Sequence, residues 1–316
     1  MKFPVFDLHC DTSYVLLGKS MREMGALRKN DHHIDLERAG TLPGYAQCFA
    51  CFTSPISRLA EGTTVTQLFE REMITVLREV ETNKDLIFQA FSAKDVAENL
   101  KNGKMSAILS IEGPAGFGFD PALLEDLYKI GFRITTLGWN EQNVLCGSNK
   151  TGGGLTELGR EYVFEAQRLG MLIDVSHISD EAFWDIMEIT RGPVIASHSN
   201  SRAVCDHSRN LTDEMFTAIC QTGGVAGLNL YPDFLGENAT LDTVCDHALH
   251  WLELGGAKHI ALGGDLDGVE ALPAGFAGVQ DYAKLAEQLL ARGVSEPVMY
   301  DIFWNNAMGV MEKCCL

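Results

Sequence analysis

The chain has 316 residues, 46% hydrophobic and 22% charged, with a formal charge of −18 and a sequence pI of about 4.8. That length and apolar fraction suit a soluble globular protein with a full core, and the acidic excess argues against nucleic acid and anionic membrane surfaces as partners. No run approaches the ~18 apolar residues of a membrane span, and the opening MKFPVFDLHCDT lacks the apolar core and cleavage site of a signal peptide, so the expectation is a cytoplasmic protein whose nine cysteines are reduced.

Apolar strand-like runs alternate with amphipathic helical stretches, the pattern of βα units around a parallel sheet. Strands are predicted at 5–9, 44–52, 105–111, 133–138, 171–176, 193–197, 224–230 and 259–264. These are enough to close a (β/α)8 TIM barrel. Segment 60–103 carries more helix than one βα unit needs, and reads as helices 63–82 and 93–102 packed outside the barrel. Loop 140–156, with Gly147, Gly152, Gly153 and Gly154, follows the fourth barrel strand and overhangs the mouth, either as a lid or as a plain connector. Ser179 is a good N-cap for a helix running through Phe183, Ile186 and Met187. Leu241, Val244, Ala248, Leu249 and Leu252 fall near a 3.6-residue period, and Gly255-Gly256 can end that helix. No repeat, low-complexity tract or linker divides residues 1–316, which are read as one domain.

Metal-ligand residue types stand at the C-terminal ends of five of these runs: His9 and Asp11, Glu112, His177, His198 and Asp265. In a parallel barrel all such ends open on one face, where active sites form. His9 and Asp11 are two apart, so on a regular strand they share a face. Imidazole with carboxylate suits zinc, and also manganese, iron or cobalt; alone, the pair reads sooner as a strand-end His capped by its neighbour. Glu112 ends an apolar strand, where a carboxylate is costly to bury unless paired or metal-bound, and its two oxygens could bridge two cations. His177 and His198 leave successive βα junctions and would complete a second metal position. Asp265, in GGDLDG, is a candidate proton shuttle, with Asp267 on the same strand face as its competitor. Arg209 could clamp a substrate carboxylate, or be a surface arginine. The histidines at 32, 33, 207, 247, 250 and 259 are read as structural, with a reservation for His207. There is no Walker A, HExxH or GxSxG motif.

DLHCDT (7–12), SIEG (110–113), DVSH (174–177), SHSNSRAV (197–204), RNL (209–211) and GGDLDG (263–268) occur in this order along nearly the whole chain. With them the sequence resembles the membrane (renal) dipeptidase family, peptidase family M19, of the amidohydrolase-type barrels. The resemblance implies an amidohydrolase-like (β/α)8 barrel with extra outer helices. It further implies a metallo-dipeptidase that hydrolyses the peptide bond of dipeptides, L-Xaa-D-Xaa among them, through a hydroxide shared by two divalent ions, expected to be Zn2+. On that resemblance His9, Asp11 and Glu112 bind the first metal, and Glu112, His177 and His198 the second. Asp265 matches the acid/base aspartate and Arg209 the substrate-binding arginine. The better-known animal members place a substrate-contacting His after strand four; Trp139 stands there in this chain, as pocket wall or as core. The expected partner is a dipeptide, and the resemblance is compatible with a homodimer. Other amidohydrolase-type amide or lactone hydrolases commonly bridge their metals through a strand-four Lys, which ITTLGW does not offer. An inactive metal-binding module is disfavoured by the complete ligand set.

Overall fold

The computed structural model describes every residue except 21–25, 58, 60, 61 and 316. Nine parallel strands form one sheet: β1 (Val5–Cys10), β2 (Tyr45–Phe52), β3 (Ile87–Gln89), β4 (Met105–Glu112), β5 (Phe132–Thr136), β6 (Leu172–Asp174), β7 (Val194–Ile195), β8 (Ala226–Leu228) and β9 (Ile260–Leu262). The order is β7-β6-β5-β4-β2-β1-β9-β8, and an Ala196–Ala226 bridge joins β7 to β8. The expected eight-stranded barrel is therefore present. β3 is the addition: it lies off the barrel path and pairs with the first half of β4, from Met105 to Ala107, whereas β5 pairs with β4 only from Leu109 onward. Its segment, IFQ, is too short and too exposed at Phe88 for an apolar alternation to mark it.

The two outer helices of 60–103 are Val65–Thr82 and Ala93–Lys101, flanking β3. The first begins in a capping box, Thr64 accepting from the Gln67 amide and Gln67 from the Thr64 amide. Ser179 caps Asp180–Ile189 as expected, accepting from the Ala182 amide. Leu241–Glu253 is helical, with Gly255 in the left-handed conformation just past its end. No helix among the described residues is long and apolar enough to cross a membrane, and none of the nine cysteines is in a disulfide.

The barrel closes tightly where β7 meets β8 and β9. A Cβ at Gly263 would sit 1.7 Å from the Ser197 carbonyl oxygen, so only glycine lets the end of β9 pass the loop that carries His198.

Candidate metal centre

The strands end earlier than their ligands. β6 stops at Asp174, β7 at Ile195 and β9 at Leu262, leaving His177, His198 and Asp265 three residues beyond. Turn geometry, more than strand phase, aims these side chains. His177 (φ 76°), Asp265 (φ 56°) and Asp267 (φ 70°) occupy the left-handed region, which is costly for non-glycine residues and clusters at functional sites. On β1 the register against β2 slips between Asp7 and Cys10, so His9 sits in an irregularity that re-aims a side chain.

All six predicted residues nevertheless converge. His9 Nε2 lies 3.4 Å from Asp11 Oδ2, 3.4 Å from Glu112 Oε2 and 3.8 Å from Asp265 Oδ1. The other Glu112 oxygen, Oε1, lies 3.0 Å from His177 Nε2 and 3.8 Å from His198 Nε2. One carboxylate thus faces imidazoles on both sides, one oxygen to each.

The outer partners of these rings decide where their protons are. His177 donates from Nδ1 to Asn140 Oδ1 at 3.0 Å. Ser197 Oγ uses its hydrogen on Asp174 Oδ2, so at 2.7 Å it must accept from His198 Nδ1. Neutral imidazole carries one N–H, which leaves both Nε2 atoms as bare lone pairs. They face each other at 2.8 Å and also face the Glu112 carboxylate. Protonating either ring is opposed: burial, with the Arg209 charge, pushes His177 down to about 3, and burial, with the charges of His9 and Arg209, holds His198 well below its ordinary value. Mutually facing lone pairs beside a carboxylate are repulsive unless a cation lies among them. At His9 the surroundings favour positive charge instead. Its buried Nε2 has no hydrogen-bond partner, and although burial opposes its charge, Glu112 and Asp11 hold the ring well above the ordinary histidine range. Burial and the Glu112 charge push Asp11 up to about 8. The donor set, imidazole nitrogen with carboxylate oxygen, suits zinc and similar divalent ions.

Asp265 is held by one oxygen only. Asn229 Nδ2 donates to its Oδ2 at 3.0 Å and to the His198 carbonyl at 3.2 Å, so Oδ1 is the atom turned toward His9. Asp267 does not share that face. Its Oδ2 accepts from Thr12 Oγ1 at 2.7 Å and its Oδ1 from the His33 amide at 2.6 Å, while its own amide donates to His33 Nδ1. The same-face expectation fails because two left-handed residues replace a strand; Asp267 instead ties the turn to the start of the chain.

Gly268 completes this turn. A Cβ there would lie 2.1 Å from Asp11 Oδ2 and 2.6 Å from Asp265 Oδ1. Gly268→Ala should therefore displace both carboxylates and lower turnover about 10²-fold, the scale of a 1 Å misplacement, with a melting temperature close to wild type. Unimpaired turnover would show that these carboxylates need not sit where they are.

Arg209 is buried at the site and is no surface arginine. The chain from Asn200 to Leu211 is pinched shut by reciprocal bonds, Leu211 N to Asn200 O and Arg202 N to Leu211 O, both 2.8 Å. Within it Arg209 donates weakly to the His198 carbonyl (3.3 Å) and to Ser199 Oγ (3.4 Å), its Nε has no partner, and burial pushes it down to about 10. Its donors are left under-used at the edge of a cleft of about 530 Å³, which Trp139 also lines. Trp139 is half-buried, edge-on to Phe52 at 5.0 Å, and so forms pocket wall and not core. Loop 140–156 contributes Asn140 and Lys150 to the same mouth. His207 lines it too, but its Nδ1 accepts the Arg209 amide at 3.1 Å and its ring packs on Phe234, so it supports the arginine.

The supporting residues were not singled out from the sequence. They include Asn140, Asp174, Ser197 and Asn229, and also Asp7, which accepts from the amides of His9 and Gly264 and from the Tyr282 hydroxyl. Asp7, Asp174 and Ser197 lie inside the quoted motifs; an Asp within VFDL or LIDV is a buried carboxylate that must be paired, and that was the available signal.

A sequence model of the family described as membrane dipeptidase (peptidase family M19) matches residues 1–315. An uncharacterized dipeptidase of Schizosaccharomyces pombe is 33% identical over 262 residues, covering 80% of this chain and 64% of that protein, slightly under two thirds of its length. A second from the same organism is 32% identical over 311 residues, covering 91% of this chain and 74% of that one. Among solved structures, a metallo peptidase from Rhodobacter sphaeroides, liganded with a phosphinate mimic of the dipeptide L-Ala-D-Ala, superposes with a TM-score of 0.90 at 27% identity, covering 99% of this chain and 100% of that one. Fold, motif order and the converging ligand set agree with these likenesses: the chain belongs to the membrane dipeptidase family, peptidase family M19.

Proposed function

We propose that this protein is a metal-dependent dipeptidase that hydrolyses the peptide bond of dipeptides at a two-cation centre. The carrying observation is Glu112, whose oxygens face His9 on one side and His177 with His198 on the other. His9, Asp11 and Glu112 would hold one ion, and Glu112, His177 and His198 the second; zinc fits the donors best. Such ions supply a water acidified to near neutrality and polarise the scissile carbonyl.

The chain's own groups do the rest. Asp265 takes a proton at Oδ1 and returns it to the departing amine, while Asn229 keeps Oδ2 occupied and the carboxyl oriented. Arg209 binds the substrate's terminal carboxylate with the donors its weak contacts leave over. Asp174, through Ser197, fixes the tautomer of His198, and Asn140 that of His177, keeping both Nε2 lone pairs inward. The solved relative with a bound L-Ala-D-Ala mimic supports a dipeptide substrate and makes L,D-dipeptides the first to assay. A single domain, cytoplasmic location and a homodimer belong to the same reading, the location resting on the unpaired cysteines and the dimer on family resemblance.

Release of free amino acids from L,L- and L,D-dipeptides by metal-loaded protein tests the activity; metal binding without turnover would reject it. Arg209→Ala should raise KM for free-carboxylate dipeptides at least ~30-fold, equivalent to the ~2 kcal/mol at the low end for losing one member of a buried charge pair, and barely change KM for C-terminally amidated analogues. Equal effects on both would remove Arg209 from carboxylate binding.

A further inference from the structure

The cleft has two unlike sides. Tyr14 and Val15 follow β1, Phe52 ends β2 and Trp139 follows β5; all four line the mouth. The rings form a ladder, Tyr14 edge-on to Phe52 at 6.3 Å and Phe52 edge-on to Trp139 at 5.0 Å. Tyr14 is 43% exposed, a large ring left uncovered at a mouth. Arg209 follows β7, and Tyr231 follows β8. In the barrel order β2 stands across from this pair, with β1 two strands along from β8 and β5 two strands along from β7, and the imidazole–carboxylate cluster lies between.

That arrangement orients a two-residue substrate. With its carboxylate on Arg209, its scissile bond falls over the cluster, and its amino-terminal residue extends to the opposite side. Resting on the dipeptidase reading, we infer that Tyr14, Val15, Phe52 and Trp139 form a specificity subsite for the side chain of the amino-terminal residue, and that it selects bulky apolar side chains, aromatic ones above all. None of the four side chains is charged, and Lys150, which also lines the cleft, stands on the other side, near His207. The nearby Glu141 is held by Ser54 Oγ at 2.7 Å and does not line the cleft. Flat rings meeting edge-on provide an apolar face on which another ring or a branched chain gains contact. Trp139 supplies the largest of these faces.

The test is kcat/KM of metal-loaded protein on dipeptides with one common C-terminal residue and Phe, Leu, Ala, Gly, Lys or Glu in front. Phe and Leu should exceed Gly by about 10–200-fold, the range of apolar pocket discrimination. Trp139→Ala should shrink the Phe-over-Gly ratio at least ~10-fold, and Trp139→Phe should largely restore it. Tyr14→Ala, at an exposed position, should shrink the ratio in the same direction, so the test survives if the tryptophan variant misfolds. A flat profile would overturn the inference while leaving the dipeptidase reading intact, as would a preference for Lys or Glu, or an equal loss on Phe and Gly substrates in both Ala variants. No turnover anywhere in the panel would overturn both.

Discussion

Asp265→Asn is expected to lower kcat by roughly 10²–10⁴-fold, the range for losing a general acid/base, with metal content unchanged. Asn keeps the shape and the bond from Asn229 Nδ2 to the outer oxygen. It removes the one thing the inner atom is needed for, a carboxylate that can take and return a proton. Burial lifts Asp265 above its ordinary value, against the pull of His9. The competing role is metal ligand, since Oδ1 lies close enough to His9 and Asp11 to join a donor group. Metal analysis separates the two: an Asn variant that loses activity and metal together would make Asp265 a ligand, and one that keeps its turnover would remove it from the chemistry.

Glu112→Gln is expected to have the broader effect. It removes the negative charge at the point where both imidazole groups meet and leaves an amide NH2 facing one set of lone pairs. Metal content and turnover should fall together, turnover by more than ~10²-fold, because a ligand matters more than the outer partners whose loss costs about 10–100-fold. The rise in melting temperature that added metal gives the wild-type protein, through binding to the folded state alone, should largely vanish. If Glu112→Gln binds the same number of ions with unchanged stabilisation, Glu112 is not shared between them.

Much of the barrel was readable because each strand is a short apolar run closed by a turn, and because periodicity survives in single segments such as Leu241–Glu253. β3 escaped because its three residues include an exposed Phe88 and owe their conformation to β4. The ligands were legible as residue types at strand ends. What aims them was not, since the left-handed turns at His177 and Asp265 are set by closure against neighbouring strands. Asp267 illustrates the limit. Its spacing from Asp265 suggests a shared face, whereas its partners, Thr12 and His33, lie 255 and 234 residues away. The same holds for Asp7 with Tyr282, 275 residues apart. Contacts of that range depend on the closed barrel and have no local signature.

Whether Glu112 joins two cation positions can be seen by anomalous diffraction from crystals soaked in zinc, recorded at the zinc edge. Two peaks are expected, one among His9, Asp11 and Glu112 and the other among Glu112, His177 and His198. A single peak, or two that leave Glu112 uncoordinated, would contradict a Glu112 shared between two cations.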